Sequence, residues 1–254
     1  RRPPTFADAC RAVVAAPSGA HSLDGTLAPV HARTVPETWG ERRARLVRSR
    51  VPTDVDSVLE LGCGLGVLLG PLGADYDVVG VDERRTQLRF PAARGEAVVC
   101  GPAVAPPVAG AFDAVCALEA AVARHSAFDV CGAAYGALRP GGIVVVAAPT
   151  DSEAVFESGV ETFRGSRYLL ERAVDAAVDG TVDVDYRVTD RRTGESAVTT
   201  ERRRLELASA DGLRAALRAA GFANVRVAGE RDLPGVVVGT GVRPIDNGPP
   251  GGGL

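Results

Sequence analysis

Short apolar runs recur along the middle of the chain, and each ends at a glycine or a polar cluster. They lie at residues 57–61, 76–81, 97–100, 112–116 and 143–148. Continuous apolar runs of this length are typical of parallel strands that are buried on both faces. The stretches between them, such as residues 128–138, are rich in alanine and long enough for crossover helices. The pattern predicts an α/β fold with a mostly parallel sheet and helices on both faces.

A strict alternation of apolar and polar residues replaces these runs after Pro149. Over residues 181–188 the apolar members occupy every second position, and Asp183, Asp185 and Arg187 occupy the positions between them. This period is typical of an antiparallel strand with one solvated face. A turn over 190–195, a second strand over 197–207 and a third over 168–174 complete the pattern. Residues 152–207 are therefore predicted to form an antiparallel insertion.

The two ends of the chain give weaker signals. Residues 1–34 contain four prolines and show no clear period, so we expect an irregular segment, followed by a helix over 36–50. A helix over 209–220 and strands over 225–227 and 236–238 resume the main fold, and residues 244–254 are expected to be a disordered tail. The predicted organisation is an N-terminal segment with a lid or packing helix (1–54), a cofactor-binding core (55–151), the insertion as a substrate platform (152–207), the remaining core (208–243) and the tail (244–254).

Composition excludes several kinds of chemistry. The chain has 254 residues, a formal net charge of −3 and 29 basic side chains, all of them arginine. Without lysine there is no Schiff-base catalysis, no pyridoxal-phosphate anchor and no phosphate-binding Walker or kinase lysine. The apolar runs fall far short of the ~20 residues that a membrane span requires. No methionine is present, so we expect the natural start to lie upstream.

Cysteine and histidine spacing argues against a metal site or a disulfide framework. Five cysteines are present and no two lie within four residues of each other, while the three histidines form no H-x-x-x-H pair. We expect a reduced, cytoplasmic protein without a metal ion.

The most specific motif is a glycine-rich loop, Glu60-Leu-Gly-Cys-Gly-Leu-Gly66, directly after a predicted strand. Glycines let the backbone turn tightly and approach a ligand closely. The dinucleotide fingerprint G-x-G-x-x-G fails in both registers, because Val67 and Leu69 stand where it needs a glycine. The alternative pattern, E-x-G-x-G-x-G, matches in full.

With this loop the sequence resembles the class I S-adenosylmethionine-dependent methyltransferases, in their small-molecule group. Four ordered segments carry the resemblance: residues 58–66, 78–82, 112–115 and 137–142. It implies a Rossmann-like, seven-stranded, mostly parallel sheet with helices on both faces, and S-adenosylmethionine as the cofactor. The cofactor-binding residues that it implies are Glu60, Gly62, Cys63, Gly64, Gly66, Asp82, Ala117 and Leu118. Glu60 would supply negative charge near the cofactor's amine, and Asp82 would accept both ribose hydroxyls.

One departure concerns adenine. The family usually carries an acid after its third strand, whereas this chain reads Cys100-Gly-Pro-Ala103. The adenine contact stays unassigned, and either backbone groups near Ala103 hold the base or cofactor affinity is reduced.

Methyl transfer by in-line displacement needs alignment of donor and nucleophile and exclusion of water. A hydroxyl acceptor benefits from a base, whereas an amine needs only to be unprotonated. His125 and Glu119 are the candidates for a catalytic role, against the simpler interpretations of a surface histidine and a solvated acid at a helix start. His21 and His31 would have to reach the site on an N-terminal lid.

The insertion resembles the antiparallel platform of small-molecule N-methyltransferases. Candidate substrate contacts there are Arg164, Arg167, Tyr168 and Tyr186. The run 202–204, Arg-Arg-Arg, is interpreted as a solvated strand and not as a nucleic-acid site, since the net charge is negative and aromatic residues are 5%. A platform of this kind can also pair two subunits, so a homodimer stays open.

Two functions remain from the sequence. The favoured one is an enzyme that transfers a methyl group from S-adenosylmethionine to a small-molecule nitrogen or oxygen acceptor. The alternative is a cofactor-binding protein without catalysis that acts as a regulatory or partner subunit; Pro102 in place of the usual acid keeps it open.

Overall fold

The computed structural model describes residues 2–177 and 179–245. Its strands are β1 (Ser57–Leu61), β2 (Asp77–Asp82), β3 (Ala97–Cys100), β4 (Phe112–Ala117), β5 (Leu138–Pro149), β6 (Gly159–Arg164), β7 (Tyr168–Ala176), β8 (Thr181–Asp190), β9 (Ser196–Arg204), β10 (Ala223–Glu230) and β11 (Leu233–Val242). Its helices are α1 (Phe6–Ala15), α2 (Ala28–Thr34), α3 (Glu37–Arg48), α4 (Leu69–Leu72), α5 (Arg85–Ala93), α6 (Glu119–Val122), α7 (Ala127–Ala137) and α8 (Ala210–Ala219).

The larger sheet has seven strands in the order β10-β11-β5-β4-β1-β2-β3. Strands β1 to β5 pair in parallel, while β11 runs antiparallel to both β5 and β10. Neighbouring residues of β1 point to opposite faces of the sheet. Leu59 packs in the cluster with α7 and α8, and Val58 packs in the cluster with α3. Burial on both faces explains the continuous apolar runs and confirms the predicted fold class.

The smaller sheet is an antiparallel meander in the order β6-β7-β8-β9. Val182, Val184 and Tyr186 on β8 are fully buried, as the alternating pattern predicts, and they pack in one cluster with Phe6 and Val13 of α1. We call these four strands the platform.

The expectation of an irregular segment over residues 1–34 is wrong, because α1 and α2 lie within it. Thr5 caps α1, since Asp8 N donates to Thr5 Oγ1 at 3.2 Å and Thr5 N donates to Asp8 Oδ2 at 2.9 Å. The buried residues of α1 follow helical spacing: Phe6, Ala9, Cys10 and Val13. Pro29 sits in the first turn of α2, where its missing N–H costs no hydrogen bond.

The C-terminal part of the fold follows the sequence pattern. Gly212 N donates to Ser209 Oγ at 3.0 Å, which caps α8, and Leu213 and Leu217 are fully buried against the large sheet. Of the predicted disordered tail, residues 246–254 lie outside the described residues.

Candidate active site

The glycine-rich loop connects β1 to the short helix α4 at the carboxyl edge of the large sheet. Gly62, Gly64 and Gly66 have φ angles of 75°, 51° and 68°, which side-chain-bearing residues rarely adopt. A Cβ on Gly62 would lie 2.7 Å from the Cβ of Ala121. Gly62 N and Cys63 N both donate to the carbonyl of Val81, at 2.8 and 3.1 Å. The loop is therefore held against β2, and its glycines place no side chain between the backbone and the cavity.

Asp82 ends β2 beside this loop and is 2% exposed. Its Oδ2 accepts from Gly64 N at 2.9 Å and from Arg84 Nη2. Its Oδ1 accepts from Arg84 N at 2.8 Å and from Arg84 Nε at 2.7 Å. A carboxylate offers about four lone-pair sites, and these four donors use them all.

Asp24, from the N-terminal segment, joins three parts of the chain. Arg84 Nη1 and Gln87 Nε2 each donate to its Oδ1 at 2.9 Å, and Arg124 Nη1 donates to its Oδ2 at 2.5 Å. Arg203 Nη2 of the platform lies 3.1 Å from the same Oδ2. Burial alone would raise the pKa of Asp24, but the arginines lower it below the usual range. The ionised carboxylate therefore ties the N-terminal segment to both sheets.

Glu60 precedes the loop and is 7% exposed. Its Oε2 has no hydrogen-bond partner among the described residues. Burial, followed by the charges of Asp82, Glu96 and Glu119, raises its pKa to about 8. A cation placed beside Glu60 would relieve this unfavourable environment.

A buried ion pair stands near Glu60. Arg43 of α3 donates to both carboxylate oxygens of Glu119, with Nε at 3.1 Å from Oε2, and the two side chains are 5% and 2% exposed. The Arg43 guanidinium also lies 3.2 Å from the ring centroid of Trp39. Glu119 therefore forms a buried ion pair with Arg43 and is not a solvated acid at a helix start.

A cavity of about 710 Å³ opens between the glycine-rich loop, α3 and the platform. Its walls include Trp39, Arg43, Glu60 and Leu118 on one side and Phe156 and Arg172 on the other. This volume is within the range of small-molecule sites. The loop without side chains at its glycines and the unpartnered Glu60 fit the methionine part of S-adenosylmethionine, whose ammonium group needs close acceptors.

The cofactor residues predicted from the sequence come together at this place. Glu60, Gly62, Cys63 and Leu118 line the cavity, and so does Glu119. Gly62 also lines a smaller adjoining pocket with Asp82 and His125. Of the remaining predicted residues, Gly64 and Gly66 lie in the same loop, and Ala117 is fully buried at the end of β4.

The segment that follows β3, where the family usually carries the acid that binds adenine, borders a smaller pocket. Ala103 is 4% exposed and lines the smaller pocket with Asp82, Ala121 and His125. No carboxylate follows β3 in the sequence, so the contact to adenine stays without an assigned partner.

The predicted substrate contacts do not line the cavity. Arg167 is paired with Asp190 at the far end of β8, and Arg164 is exposed at the end of β6. Tyr168 and Tyr186 are 2% and 0% exposed within the cluster that contains α1. The alternating pattern placed the tyrosines on the buried face, and that face is filled mainly by α1.

Sequence reasoning missed the residues that form the platform side of the cavity. They are Phe156, Arg172 and Arg203, with Asp24 from the N-terminal segment; His31, which the sequence analysis could place at the site only on an N-terminal lid, also lines the cavity. Arg172 carried a signal, because it sits at a buried-face position of β7 between apolar neighbours. A charged residue at such a position indicates a partner or a ligand.

In the described part of the chain, no helix has the length and apolar character needed to cross a membrane. The same residues contain no cluster of three or more metal-ligating side chains.

Comparisons with known proteins agree with this geometry. A family model described as "Methyltransferase domain" matches residues 59–146. No curated protein sequence matches the chain. The structure resembles DesVI from Streptomyces venezuelae, with 22% identity, a TM-score of 0.63 and coverage of 80% of this chain and 90% of that one.

Two further solved structures share the fold. The SAM-bound amino pentose methyltransferase CalS10 from Micromonospora echinaspora is 20% identical, with a TM-score of 0.66 and coverage of 85% and 95% of the two chains. The sugar N-methyltransferase KedS8 from Streptoalloteichus sp. is 24% identical, with a TM-score of 0.64 and coverage of 81% and 87%. Residues 59–146 therefore match a methyltransferase domain, and the fold of the chain is that of these solved structures, in agreement with the resemblance to the class I S-adenosylmethionine-dependent methyltransferases.

Proposed function

We propose that the protein transfers a methyl group from S-adenosylmethionine to the amine nitrogen of a small polar molecule of the amino-sugar class. The observation that carries this proposal is the 710 Å³ cavity that adjoins the glycine-rich loop. Its size suits one small acceptor beside the cofactor. Two solved structures of the same fold are described as an amino pentose methyltransferase and a sugar N-methyltransferase, which supports this acceptor class.

The cofactor would be held by the groups that end β1 and β2. The glycine-rich loop offers backbone contacts to its methionine part, Glu60 faces the ammonium group, and Asp82 accepts the ribose hydroxyls once Arg84 has left it. Ala117 and Leu118 border the reacting end. When bound, S-adenosylmethionine supplies an electrophilic methyl group, and the protein's task is to align the acceptor with it.

The walls of the cavity are suited to alignment without covalent chemistry. Arg43 is fixed by Glu119 and Trp39, so this wall is rigid. Leu118 and Phe156 are 7% and 8% exposed and limit access of water. Neither a metal ion nor a nucleophilic side chain is required.

Charge at the mouth of the cavity favours an amine. Glu153 and Glu157 line the cavity and are exposed. Glu153 accepts from Ser158 Oγ at 2.6 Å, and neither carboxylate forms an ion pair among the described residues. Unpaired carboxylates attract a protonated amine from solution, and an amine needs no dedicated base once it has lost its proton. His125, in the smaller pocket, is then not required as a base.

The test is a labelled-methyl screen of the purified protein against pools of amino sugars, other amines, phenols and carboxylic acids. We expect label to enter an amine, with amino sugars preferred, and Asp82→Ala to abolish it. Label confined to phenols or acids would contradict the amine assignment. Tight cofactor binding without transfer to any pool would instead favour the non-catalytic alternative, which the comparisons do not support.

We also propose a cytoplasmic location and a homodimer. All five cysteines are free thiols, which agrees with a reducing compartment. The platform offers an edge strand, β6, whose backbone groups can pair with a second copy. Sedimentation of the full chain tests the dimer, and a monomer at all concentrations would contradict it.

A further inference from the structure

Two side chains on the platform side of the cavity carry buried nitrogens without a hydrogen-bond partner. Arg172 of β7 is 7% exposed, and its Nε has no partner among the described residues. His31 of α2 likewise has an unpartnered Nδ1. Both side chains line the cavity. Buried polar groups are nearly always hydrogen-bonded in folded proteins, so two incompletely bonded nitrogen-bearing side chains on this wall of the cavity indicate a place where a polar group of a ligand can bind.

The Arg172 guanidinium is fixed in place by its other contacts. Its Nη1 donates to Glu161 Oε2 at 2.5 Å, and its Cζ lies 6.0 Å from the ring centroid of Phe156. Tyr186 is the register partner of Arg172 on β8, and its buried hydroxyl lies against the Arg172 guanidinium. These contacts hold the guanidinium in one orientation, and N–H groups other than the one on Nη1 stay free to donate to a ligand.

His31 is a neutral hydrogen-bonding group at this place. Burial and the charges of Arg84, Arg203 and Arg172 lower its pKa to about 3, and Asp24 opposes them only in part. A neutral imidazole has one donor and one acceptor nitrogen. It adds no positive charge beside a cationic methyl donor.

We propose that Arg172 and His31 form a subsite that receives a hydroxyl, or another oxygen, of the methyl acceptor. This inference rests on the proposed function, because it names the part of the acceptor that lies away from the reacting nitrogen. Tyr186, behind Arg172, is a positioning residue. The ring of Phe156, with the Arg172 and Arg203 guanidiniums 6.0 and 5.9 Å from its centroid, offers an apolar face to a carbon ring whose oxygens point at the donors.

The test compares two amines that differ in oxygen content: D-glucosamine and cyclohexylamine. Their dissociation constants are measured by saturation-transfer NMR on the full chain loaded with S-adenosylhomocysteine. We expect Arg172→Gln and His31→Leu each to weaken glucosamine binding at least tenfold and to leave cyclohexylamine within twofold. His31→Asn, which keeps a hydrogen-bonding group near the position of Nδ1, should recover part of the loss.

Two control variants distinguish the loss of a ligand contact from a general loss of folding. Arg202→Gln removes an arginine of β9 that is 75% exposed and paired with Asp183, and His21→Leu removes a histidine that does not line the cavity. Both should bind the two amines as the wild type does. Equal losses for the two amines in the test variants, or no loss for either, would overturn the subsite.

The binding measurements with the two amines do not depend on whether the protein methylates them. If the wild-type protein methylates no amine but the oxygen-dependent losses are found, the proposed function fails and the subsite stands. If amines are methylated and the losses are absent, the subsite fails and the proposed function stands.

Discussion

Arg84 donates to both carboxylate oxygens of Asp82, from a position only two residues further along the chain. Together with the backbone N–H groups of Gly64 and Arg84, it fills the acceptor capacity of that carboxylate. Ribose hydroxyls that bind Asp82 must therefore displace the guanidinium. Asp24, 2.9 Å from Arg84 Nη1, already holds a second contact and can retain the side chain after that exchange.

The first prediction follows from this competition. Arg84→Leu should tighten binding of S-adenosylhomocysteine by about tenfold, because a hydrogen-bonded charge contributes about 1.5–3 kcal/mol that the ribose no longer has to overcome. Calorimetric titration measures the affinity. Arg85→Leu, at an exposed neighbouring position, is the control and should leave the affinity unchanged. Weaker binding in Arg84→Leu would show that the guanidinium holds the cofactor instead.

The glycine-rich loop gives a second prediction. Gly62→Ala should destabilise the fold and abolish cofactor binding, since its Cβ would lie 2.7 Å from that of Ala121. Gly95→Ala is the control, because Gly95 has a similar φ of 84° but no atom within 4 Å of the added Cβ. It should cost only the backbone strain, about 1 kcal/mol, with cofactor affinity intact. Thermal unfolding and titration measure the two effects, and equal behaviour of the variants would contradict the crowding argument.

The third prediction concerns the proton on Glu60. Its pKa of about 8 means that the carboxyl is mostly protonated at pH 7 in the free protein. A cofactor ammonium placed beside it favours the charged form, so binding should release close to one proton at pH 7. Calorimetry in buffers of different ionisation enthalpy counts that proton. Glu60→Gln should release none and bind more weakly; an unchanged proton count in this variant would contradict the assignment.

The same group affects stability. Since its folded pKa lies above the unfolded value of 4.5, the native state binds a proton that the unfolded chain has lost between pH 4.5 and about 8. The free energy of unfolding should therefore fall as pH rises through that window and then level off. The fall attributable to Glu60 is a few kcal/mol, at about 1.4 kcal/mol per pKa unit. Denaturant titrations measure this effect: the free energies of unfolding of the wild type and of Glu60→Gln should be similar at low pH and should differ above neutrality.

The Arg43–Glu119 pair gives a further prediction. Glu119→Gln leaves a buried guanidinium without its counter-charge, which typically costs about 3–5 kcal/mol. Asp183→Asn, which breaks the exposed pair with Arg202, should produce no measurable change. Chemical denaturation compares the two variants. Similar small effects in both would mean that the buried pair adds little to the wall of the cavity.

The strands of the large sheet were predictable because local sequence determines them. Burial on both faces requires continuous apolar runs, so β1 to β5 are visible in the sequence, and Ser209 marks the start of α8. Helix α1 was missed although Thr5 and Asp8 form a capping box and Phe6 and Val13 keep helical spacing. The surrounding prolines concealed it, yet each proline lies outside α1 or in the first turn of α2.

The residues proposed to hold the cofactor could be picked out from the sequence, whereas those on the platform side of the cavity could not. The glycine-rich loop and the acid at the end of β2 each follow a strand within a short stretch of sequence, so Gly62 and Asp82 could be proposed from local spacing. The contact of Asp24 with Arg84, Arg124 and Arg203 joins residues up to 179 positions apart. Charges that meet only in the folded chain leave no local pattern, and the same holds for His31 and Arg172.

The most direct test of the account is calorimetric titration of S-adenosylhomocysteine into the wild-type protein and into Asp82→Ala. The account predicts one binding site per chain in the wild type and affinity at least tenfold weaker in the variant. No detectable binding to the wild type at millimolar ligand, or equal affinity in the two proteins, would contradict it.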